Sequence, residues 1–257
     1  MTLEHWIYVV TYASIFGFLI AERYKQKKVF SITKRDALFL TIDIIAKLVQ
    51  LALSIYATVW VVNLVAPFEI LSISNLPIPR FLNVVIAFLL VDLFHYFSHR
   101  LHHSIPILWR FHRLHHSDKK VDVLTTALHH PFEITSSFLV SITCYVLLDI
   151  PVIILLAYAL FSAFHSPFTH TTMLVPEKLN RFLSYFIITP NFHRPHHSLD
   201  IEESNNNFGI VFPFWDKLFG TYRYASNRAV SVIKLGVSAD KSPQSLSLKE
   251  LLVNPFR

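Results

Sequence analysis

The sequence predicts an all-α integral membrane protein: a bundle of about four to five transmembrane helices with a cytoplasmic, histidine-rich metal-binding cap. The composition indicates a membrane protein, because the 257 residues are 53% hydrophobic and 16% charged, against about 25% charged in an average soluble domain. Glycine occurs only four times, which favours long helices over a turn-rich β protein. Fourteen of the 15 histidines lie between residues 95 and 197, which predicts a metal-binding region.

Residues 1–80 are predicted to form N-terminal membrane-anchor helices. The apolar residues 6–21 are followed by a basic loop without a small-residue cleavage site, which favours an anchor over a removed signal peptide. A second apolar stretch, residues 37–66, contains Asp43 and Lys47, which can pair on one helix face because they are four residues apart. We interpret them as an ion pair near the membrane interface, with a proton or substrate contact as the alternative.

Residues 81–222 are predicted to combine further spans with the histidine-rich cap, and residues 223–257 to form a C-terminal cytoplasmic tail. Residues 81–103 are apolar at their start and rich in histidine at their end. Residues 134–164 form another apolar block, which Asp149 and Pro151 divide into two arms. Each arm is short for a full span, so the block is either a helical hairpin or a pair of tilted spans.

The basic residues predict the orientation of the chain in the membrane. Lysine and arginine cluster after the first apolar stretch and again in the histidine-rich region, whereas residues 67–79 contain neither. By the positive-inside rule both basic regions are cytoplasmic, so every histidine cluster faces the cytoplasm. We expect an integral protein of the bacterial inner membrane, or of the endoplasmic reticulum if the source is eukaryotic. The net charge of +6 then indicates a membrane surface rather than a nucleic acid partner.

Three histidine patterns are the candidate metal ligands. They are an HxxxH pair and two HxxHH triads: His99 and His103; His112, His115 and His116; His193, His196 and His197. Residues at i, i+3 and i+4 share a helix face, so each triad is expected to present its three imidazoles to one point. Pro195 fits this expectation if its helix begins near Asn191. Eight imidazoles exceed the needs of one tetrahedral ion, so we expect two ions.

Other histidines are less clearly assigned by the pattern. His95 lies four residues before His99, so these two residues form a competing HxxxH pair. His165 and His170 follow the last apolar block, and either can complete a metal sphere, with His170 favoured.

Acidic residues near the motifs are candidates for orienting a ligand. His130 and Glu133, in the segment HHPFE, can contact a ligand or the substrate, or be structural. Asp92 can accept the second N–H of a ligand imidazole, with pairing to Arg100 as the equal alternative.

Seven short motifs occur in an order that is far more specific than any one of them. They are DLFHYFSHRLHH (residues 92–103), LWRFHRLHHS (108–117), HHPFE (129–133), HTTMLVP (170–176), TPNFHRPHHS (189–198), NNNFG (205–209) and WDKLFGTY (215–222). This set resembles the fatty acid hydroxylase/sterol desaturase superfamily of membrane di-iron enzymes, and it is most similar to the bacterial sterol desaturase-like branch. The resemblance implies that residues 81–222 form the catalytic domain.

The resemblance also implies the composition of the site, and it favours His99 with His103 as the first pair. The implied metal ligands are His99, His103, His112, His115, His116, His170, His193, His196 and His197. The implied cofactors are two iron ions, in the Fe²⁺ and Fe³⁺ states, with O₂ as co-substrate. The same cluster is the catalytic group, and no separate protein nucleophile is expected.

The function that this resemblance implies is a membrane-bound di-iron oxygenase that hydroxylates or desaturates a lipid, with hydroxylation slightly preferred. The lipid, which is sterol-like, acyl or of another class, enters from the bilayer. Neutral imidazoles can hold ferrous iron and leave positions for oxygen. A single cysteine, Cys144, cannot ligate an iron–sulfur cluster, so an external donor of the ferredoxin or cytochrome type, with its reductase, is expected.

Two other classes of function remain open at this stage. A membrane metal-binding or transport protein requires metal-binding groups along its spans, where only Asp43, Lys47 and Asp149 stand. A zinc-dependent lipid hydrolase typically uses three protein ligands and one open position, which eight or more histidines fit poorly. A redox activity that requires O₂ and a reductant separates the oxygenase from both.

Overall fold

The computed structural model describes residues 3–27, 32–65, 70–237 and 247–253. Within these ranges the chain forms helices and short 3₁₀ turns, and its β pairing is one isolated bridge between Ser198 and Leu235. The helices are α1 (Leu3–Lys25), α2 (Lys34–Val65), α3 (Arg80–Ser104), α4 (Pro106–His116), α5 (Pro131–Leu148), α6 (Val152–Thr169), α7 (Glu177–Leu183), α8 (Pro190–His193), α9 (Ile201–Ser204), α10 (Phe214–Leu218), α11 (Asn227–Val232) and α12 (Leu248–Val253).

The predicted all-helical membrane fold is confirmed. In the part of the chain that the structure describes, α3, α5 and α6 are long and apolar enough to cross a membrane. Two further helices, α1 and α2, contain 23 and 32 residues. Large apolar side chains such as Phe81 (66% exposed) on α3 and Ile153 (59%) on α6 face outward. Lipid is the solvent that suits such a surface.

The long helices pack in pairs around two apolar cores. The α1 helix packs on α6 and α2 packs on α5, while α3 contacts α4, α5 and α6. The predicted division of the second apolar block is correct, because α5 ends at Leu148 and α6 begins at Val152. Asp149, which lies between them in the left-handed region (φ 45°), accepts a hydrogen bond from Ser72 Oγ at 2.6 Å.

Buried ion pairs join the anchor helices to the histidine-bearing end of the bundle. Arg23 at the end of α1 contacts Asp36 at the start of α2 at 2.9 Å. Arg35 contacts both Asp118 and Asp122, which lie just after α4. The predicted pair within α2 also forms, since Lys47 Nζ lies 2.7 Å from Asp43 Oδ2. The basic end of the anchor therefore lies at the same end of the bundle as the histidines.

The described part of the predicted C-terminal tail packs against the rest of the protein. The amide of Leu199 donates to the carbonyl of Lys234 at 2.7 Å, which holds this segment against the loop after the last histidine triad. Leu251 in α12 is 1% exposed and packs in the core formed by α1 and α2. An apolar residue of the tail thus completes a core that the anchor helices leave open. The predicted domain boundaries at residues 80 and 222 stay predictions.

Candidate metal centre

Four elements bring histidines to one end of the bundle. The end of α3 carries the first pair, α4 carries the first triad, and the end of α6 is followed by His170. Pro106 begins α4 directly after α3, because a proline in the first helical turn needs no N–H donor. Pro190 does the same for α8, where Thr189 Oγ1 accepts a hydrogen bond from the amide of Phe192. Pro195 lies in a 3₁₀ turn, Arg194–His197, that continues α8.

The nine predicted ligand histidines form two groups. Within each group the candidate ligand atoms all lie within 4.8 Å of one another. The five-histidine group is His99, His103, His112, His116 and His196; the four-histidine group is His115, His170, His193 and His197. Nine imidazoles from distant parts of the chain thus converge on two points, which is the arrangement expected for two metal ions.

Each HxxHH triad divides between the two groups, which corrects the prediction that a triad serves one point. His112 and His116 belong to the five-histidine group, whereas His115 belongs to the four-histidine group. Positions i and i+4 are nearly aligned on a helix, but consecutive residues point about 100° apart. In the second triad, His196 belongs to the five-histidine group, whereas His193 and His197 belong to the four-histidine group. The triads therefore link the two groups.

Three imidazoles of the five-histidine group have their tautomers set by acceptors that cannot donate a proton. The donor and acceptor pairs are His99 Nδ1 with the Phe208 carbonyl (2.8 Å), His196 Nδ1 with the Asn206 carbonyl (2.8 Å) and His112 Nδ1 with Glu133 Oε1 (2.7 Å). A neutral imidazole carries one N–H, so the Nε2 atom of each ring bears a lone pair.

These lone pairs point at one another. The Nε2 atom of His99 lies 3.2 Å from that of His112 and 3.0 Å from that of His196. No proton lies between them, because the N–H of each ring is already donated elsewhere, so the short distances are not hydrogen bonds. The Nε2 atom of His103 is also buried and has no hydrogen-bond partner among the described residues. A cation bound between these nitrogen atoms would remove the repulsion between their lone pairs. Imidazole nitrogen suits iron, zinc, copper and nickel.

The four-histidine group shows the same convergence. His170 Nδ1 donates to the Ser166 carbonyl at 2.8 Å, which leaves its Nε2 atom as an acceptor. That atom lies 3.1 Å from the Nε2 atoms of both His115 and His193. The Nε2 atom of His197 lies 3.1 Å from that of His193.

Burial keeps these imidazoles in the neutral form that metal binding requires. Burial lowers the pKa of His170 to about 4 and the pKa of His196 to about 3. The pKa values of four further ligand candidates are held well below the ordinary histidine value, first by burial and then by neighbouring imidazoles: His115, His116, His193 and His197. Near pH 7 these six imidazoles therefore present free nitrogen lone pairs rather than positive charges.

Three additional histidine candidates, His95, His165 and His130, lie outside both groups. His95 is one turn deeper in α3 than His99, and its ring stacks on Tyr158 with its Nε2 atom 3.3 Å from Ser141 Oγ. The Nε2 atom of His165 donates to the Ile188 carbonyl at 2.9 Å. Both side chains lie deeper in the bundle than the two histidine groups, whose members come from elements at its end.

His130 and Asp92 also have other partners. His130 caps α5 by accepting from the amide of Phe132, and its Nε2 atom donates to the Leu252 carbonyl at 3.1 Å.

Asp92 contacts neither a ligand imidazole nor Arg100, in contrast to both predicted alternatives. Its carboxylate accepts from Tyr158 Oη, Trp215 Nε1 and the amides of Val211 and Phe212. These contacts satisfy irregular backbone that lies beside the middle of α3, where unpaired amides are costly at membrane depth.

The sequence alone does not identify the loop that orients two candidate ligands. Residues 205–209, here called the orienting loop, supply the Asn206 and Phe208 carbonyls that accept from His196 and His99. Asp216 in α10 holds this loop, since its carboxylate accepts from the amides of Phe208 at 2.7 Å and Gly209 at 2.9 Å.

Glycine is required in the orienting loop. A Cβ atom on Gly209 would stand 2.7 Å from the Phe212 carbonyl oxygen and 2.8 Å from Asp216 Oδ2. The signal for this arrangement was present in the motifs NNNFG and WDKLFGTY, but neither motif indicates which backbone atoms it positions. His129 was also missed: its ring stacks on His115 with the centroids 4.2 Å apart.

Comparisons with known proteins agree with this site. The profile of the family "Fatty acid hydroxylase" matches residues 84–221. The chain is 31% identical to ornithine lipid hydroxylase OlsE of Rhizobium tropici over 56% of its own length and 43% of the relative's. It is 29% identical to alkylglycerol monooxygenase of Homo sapiens (56% and 31%) and 28% identical to cholesterol 25-hydroxylase of Rattus norvegicus (56% and 47%). The chain thus spans less than half the length of these relatives. No solved structure matches it.

Proposed function

Because the chain belongs to the fatty acid hydroxylase family, we propose that it is a membrane-bound, oxygen-dependent lipid hydroxylase that uses two iron ions. One observation carries the proposal: nine imidazoles, seven of them buried, bring their nitrogen atoms together in two adjacent groups. Nitrogen ligands of this kind hold iron and leave positions for oxygen. The five-histidine group would hold one ion and the four-histidine group the other. Bound iron would supply the activation of O₂ for insertion into a C–H bond.

The protein's own residues orient and protect the ions in this proposal. Glu133 and the orienting loop fix three rings of the five-histidine group, and such partners of ligand imidazoles raise ligand basicity and set ring orientation. Burial excludes water from the imidazoles, which protects reactive oxygen chemistry from side reactions. The groups lie at the end of the helices α3 and α6, where a lipid can approach from the bilayer.

A membrane lipid is the proposed substrate, and hydroxylation is the proposed outcome. The relatives named above are called hydroxylases or monooxygenases, and their names specify an ornithine lipid, an alkylglycerol and cholesterol. An apolar groove of about 240 Å³ between α3, α4 and α5 is a candidate for the lipid chain. Its lining includes Leu101, Leu139 and His102, and the His102 ring lies 5.7 Å from the ring of His112.

We propose that an external donor supplies the electrons for this reaction. Cys144 is the only cysteine and is fully buried in the apolar core, so this chain cannot form a cysteine-ligated iron–sulfur cluster. We propose a donor of the ferredoxin or cytochrome type, acting at the histidine-bearing end of the bundle. That end is proposed to face the cytoplasm on the basis of its lysines and arginines.

The two rival functions receive less support. Transport requires free polar groups along the spans, but Asp43 pairs with Lys47 and accepts from Tyr12, and Asp149 accepts from Ser72. A zinc hydrolase needs an open metal position beside about three ligands, whereas the two groups contain four and five imidazoles.

Metal analysis and turnover of the protein in lipid nanodiscs test the proposal. After anaerobic loading with Fe²⁺, we expect about two irons per chain. Addition of reductant, isotopically labelled O₂ and bacterial or animal lipid extract should yield a lipid that has gained one labelled oxygen atom. The variant His130→Gln, which replaces a buried histidine outside both groups, should retain iron. Hydrolysis of lipid without O₂, or protein that binds zinc and no iron after anaerobic loading, would overturn the proposal.

A further inference from the structure

An exposed aromatic surface lies beside the metal-bearing segment. Four large side chains from α7, the turn that follows it and α10 face outward: Phe182 (61% exposed), Tyr185 (58%), Phe186 (60%) and Leu218 (68%). Contiguous exposure of this size in a folded protein marks an interaction site. We call these four residues, with the basic residues described below, the aromatic–basic surface.

Contacts with the long helices give the depth of this surface. The Ile188 carbonyl, two residues after Phe186, accepts from His165 in α6. His165 lies five residues before His170, which is about 7 Å along a helix. On the other side, the ring of Phe219 lies 4.9 Å from the ring of Phe97, which is seven residues before the end of α3. The surface is therefore level with the last two turns of α3 and α6.

The surface also continues the lipid-facing side of α3. Phe97 is 39% exposed and adjoins Phe219, whose neighbour Leu218 is among the most exposed apolar residues described. At this level the chemistry of a bilayer changes from acyl chains to headgroups, where aromatic rings accumulate. An interfacial position explains why these rings are exposed.

Basic side chains border the aromatic rings. Lys217 Nζ lies 3.8 Å from the ring centroid of Tyr185, Arg181 lies over Tyr224 at 5.6 Å, and Lys178 is exposed. The neighbouring acid, Glu177, accepts from Tyr224 Oη, and its Oε1 atom lies 3.7 Å from Arg181 Nη2, an ion pair that leaves the Arg181 side chain 70% exposed. Because Lys178 and Phe182 are four residues apart, α7 presents basic and apolar residues on one outward face while Asn180 is buried.

We infer that the aromatic–basic surface is a lipid-binding site that inserts its rings at the membrane interface and binds anionic phospholipid headgroups through Lys178, Arg181 and Lys217. Apolar rings that insert into the bilayer and basic side chains that pair with anionic headgroups are the two features that bind interfacial helices to anionic bilayers. The segment continues directly into α8, so lipid binding here anchors the last histidine triad to the membrane.

Thermal unfolding in nanodiscs tests the headgroup preference. The wild-type protein is expected to unfold about 5 °C higher in discs that contain phosphatidylglycerol than in pure phosphatidylcholine. The triple variant Lys178→Glu, Arg181→Glu, Lys217→Glu should lose this difference. Arg228→Glu, which reverses an exposed charge on α11, is the control and should keep it. A triple variant that retains the full difference, or a control that loses it equally, would overturn the headgroup assignment.

A depth measurement tests the insertion without reference to stability or metal content. Cys144 is fully buried, so a spin label reacts selectively with an introduced cysteine. A label on Phe186→Cys in nanodiscs is expected to be accessible to dissolved O₂ and protected from a water-soluble nickel complex. A label on Glu202→Cys, an exposed position in α9, should show the opposite order. Equal access of nickel to both labels would show that the surface is in water and would overturn the inference.

Discussion

The two histidine groups obtain their orientation from different parts of the molecule. In the five-histidine group, three rings donate to acceptors on other elements, namely the orienting loop and Glu133 of α5. In the four-histidine group, His170 donates to the Ser166 carbonyl of its own helix. Remote contacts therefore orient three rings of the first group, whereas a local contact orients His170 in the second. Changes outside the ligands should affect the two groups unequally.

The largest effect is expected from two adjacent residues that serve different groups. His196 and His197 are both fully buried, so their alanine variants create comparable cavities. We expect His196→Ala to lose the ion of the five-histidine group and His197→Ala the ion of the other, each retaining about one iron per chain. Neither variant should hydroxylate lipid. Metal analysis with Mössbauer spectroscopy distinguishes the remaining ions, and two identical spectra would contradict the division.

The next effect is expected at the carboxylate that orients His112. Glu133→Gln weakens the hydrogen bond to His112 Nδ1, and loss of such a partner typically weakens metal affinity 10- to 100-fold. The loss should be confined to the five-histidine group. Competition with a coloured chelator measures each affinity, and Glu177→Gln, which lies outside both groups, is the control. Equal weakening of both ions would show that Glu133 acts on the fold rather than on His112.

A smaller effect is expected two contacts away from the metal. Asp216→Asn places an amide donor near the amides of Phe208 and Gly209, which shifts the orienting loop and the carbonyls that hold His99 and His196. We expect iron in the five-histidine group to bind roughly 10-fold more weakly, with an altered Mössbauer signal for that ion alone. Asp200→Asn, which weakens the cap of α9, controls for lost stability and should leave both signals unchanged.

The candidate ligands could be located from the sequence because they are side chains with a characteristic spacing. Their division could not, since a triad offers two directions and the partners that select between them come from α3 and α6. The carbonyls of Asn206 and Phe208 are backbone atoms, so no residue type identifies them. Position along the helix separates the other candidates from the two groups. His95 and His165 have suitable side chains, but they lie one or two turns too far into the bundle.

The fold was predicted to a similar extent and for similar reasons. Apolar length predicted the long helices and the break at Asp149, because both depend on local sequence. The packing of Leu251 in the core that contains residues of α1 and α2 depends on residues more than 200 positions apart, so local sequence does not indicate it.

The smallest effect is expected on mild acidification of the metal-free protein, where burial lowers the pKa of a histidine in each group. Burial lowers the pKa of His170 to about 4 and that of His196 to about 3, whereas an unfolded histidine titrates near about 6.5. Below about pH 6.5 the unfolded chain binds protons that the folded chain does not. The free energy of unfolding therefore decreases as the pH is lowered, by about 0.7 kcal/mol for each such histidine between pH 7 and pH 6.

Thermal unfolding of metal-free protein in nanodiscs between pH 7 and pH 5 measures this loss. His170→Gln and His196→Gln should each reduce the pH dependence, because glutamine does not titrate. Bound iron should raise the unfolding temperature most at pH 7 and less at pH 5, since protons compete with metal for the same nitrogen lone pairs. An unfolding temperature that rises on acidification would show that the imidazoles are charged in the folded protein, and the lone-pair cluster would then not exist.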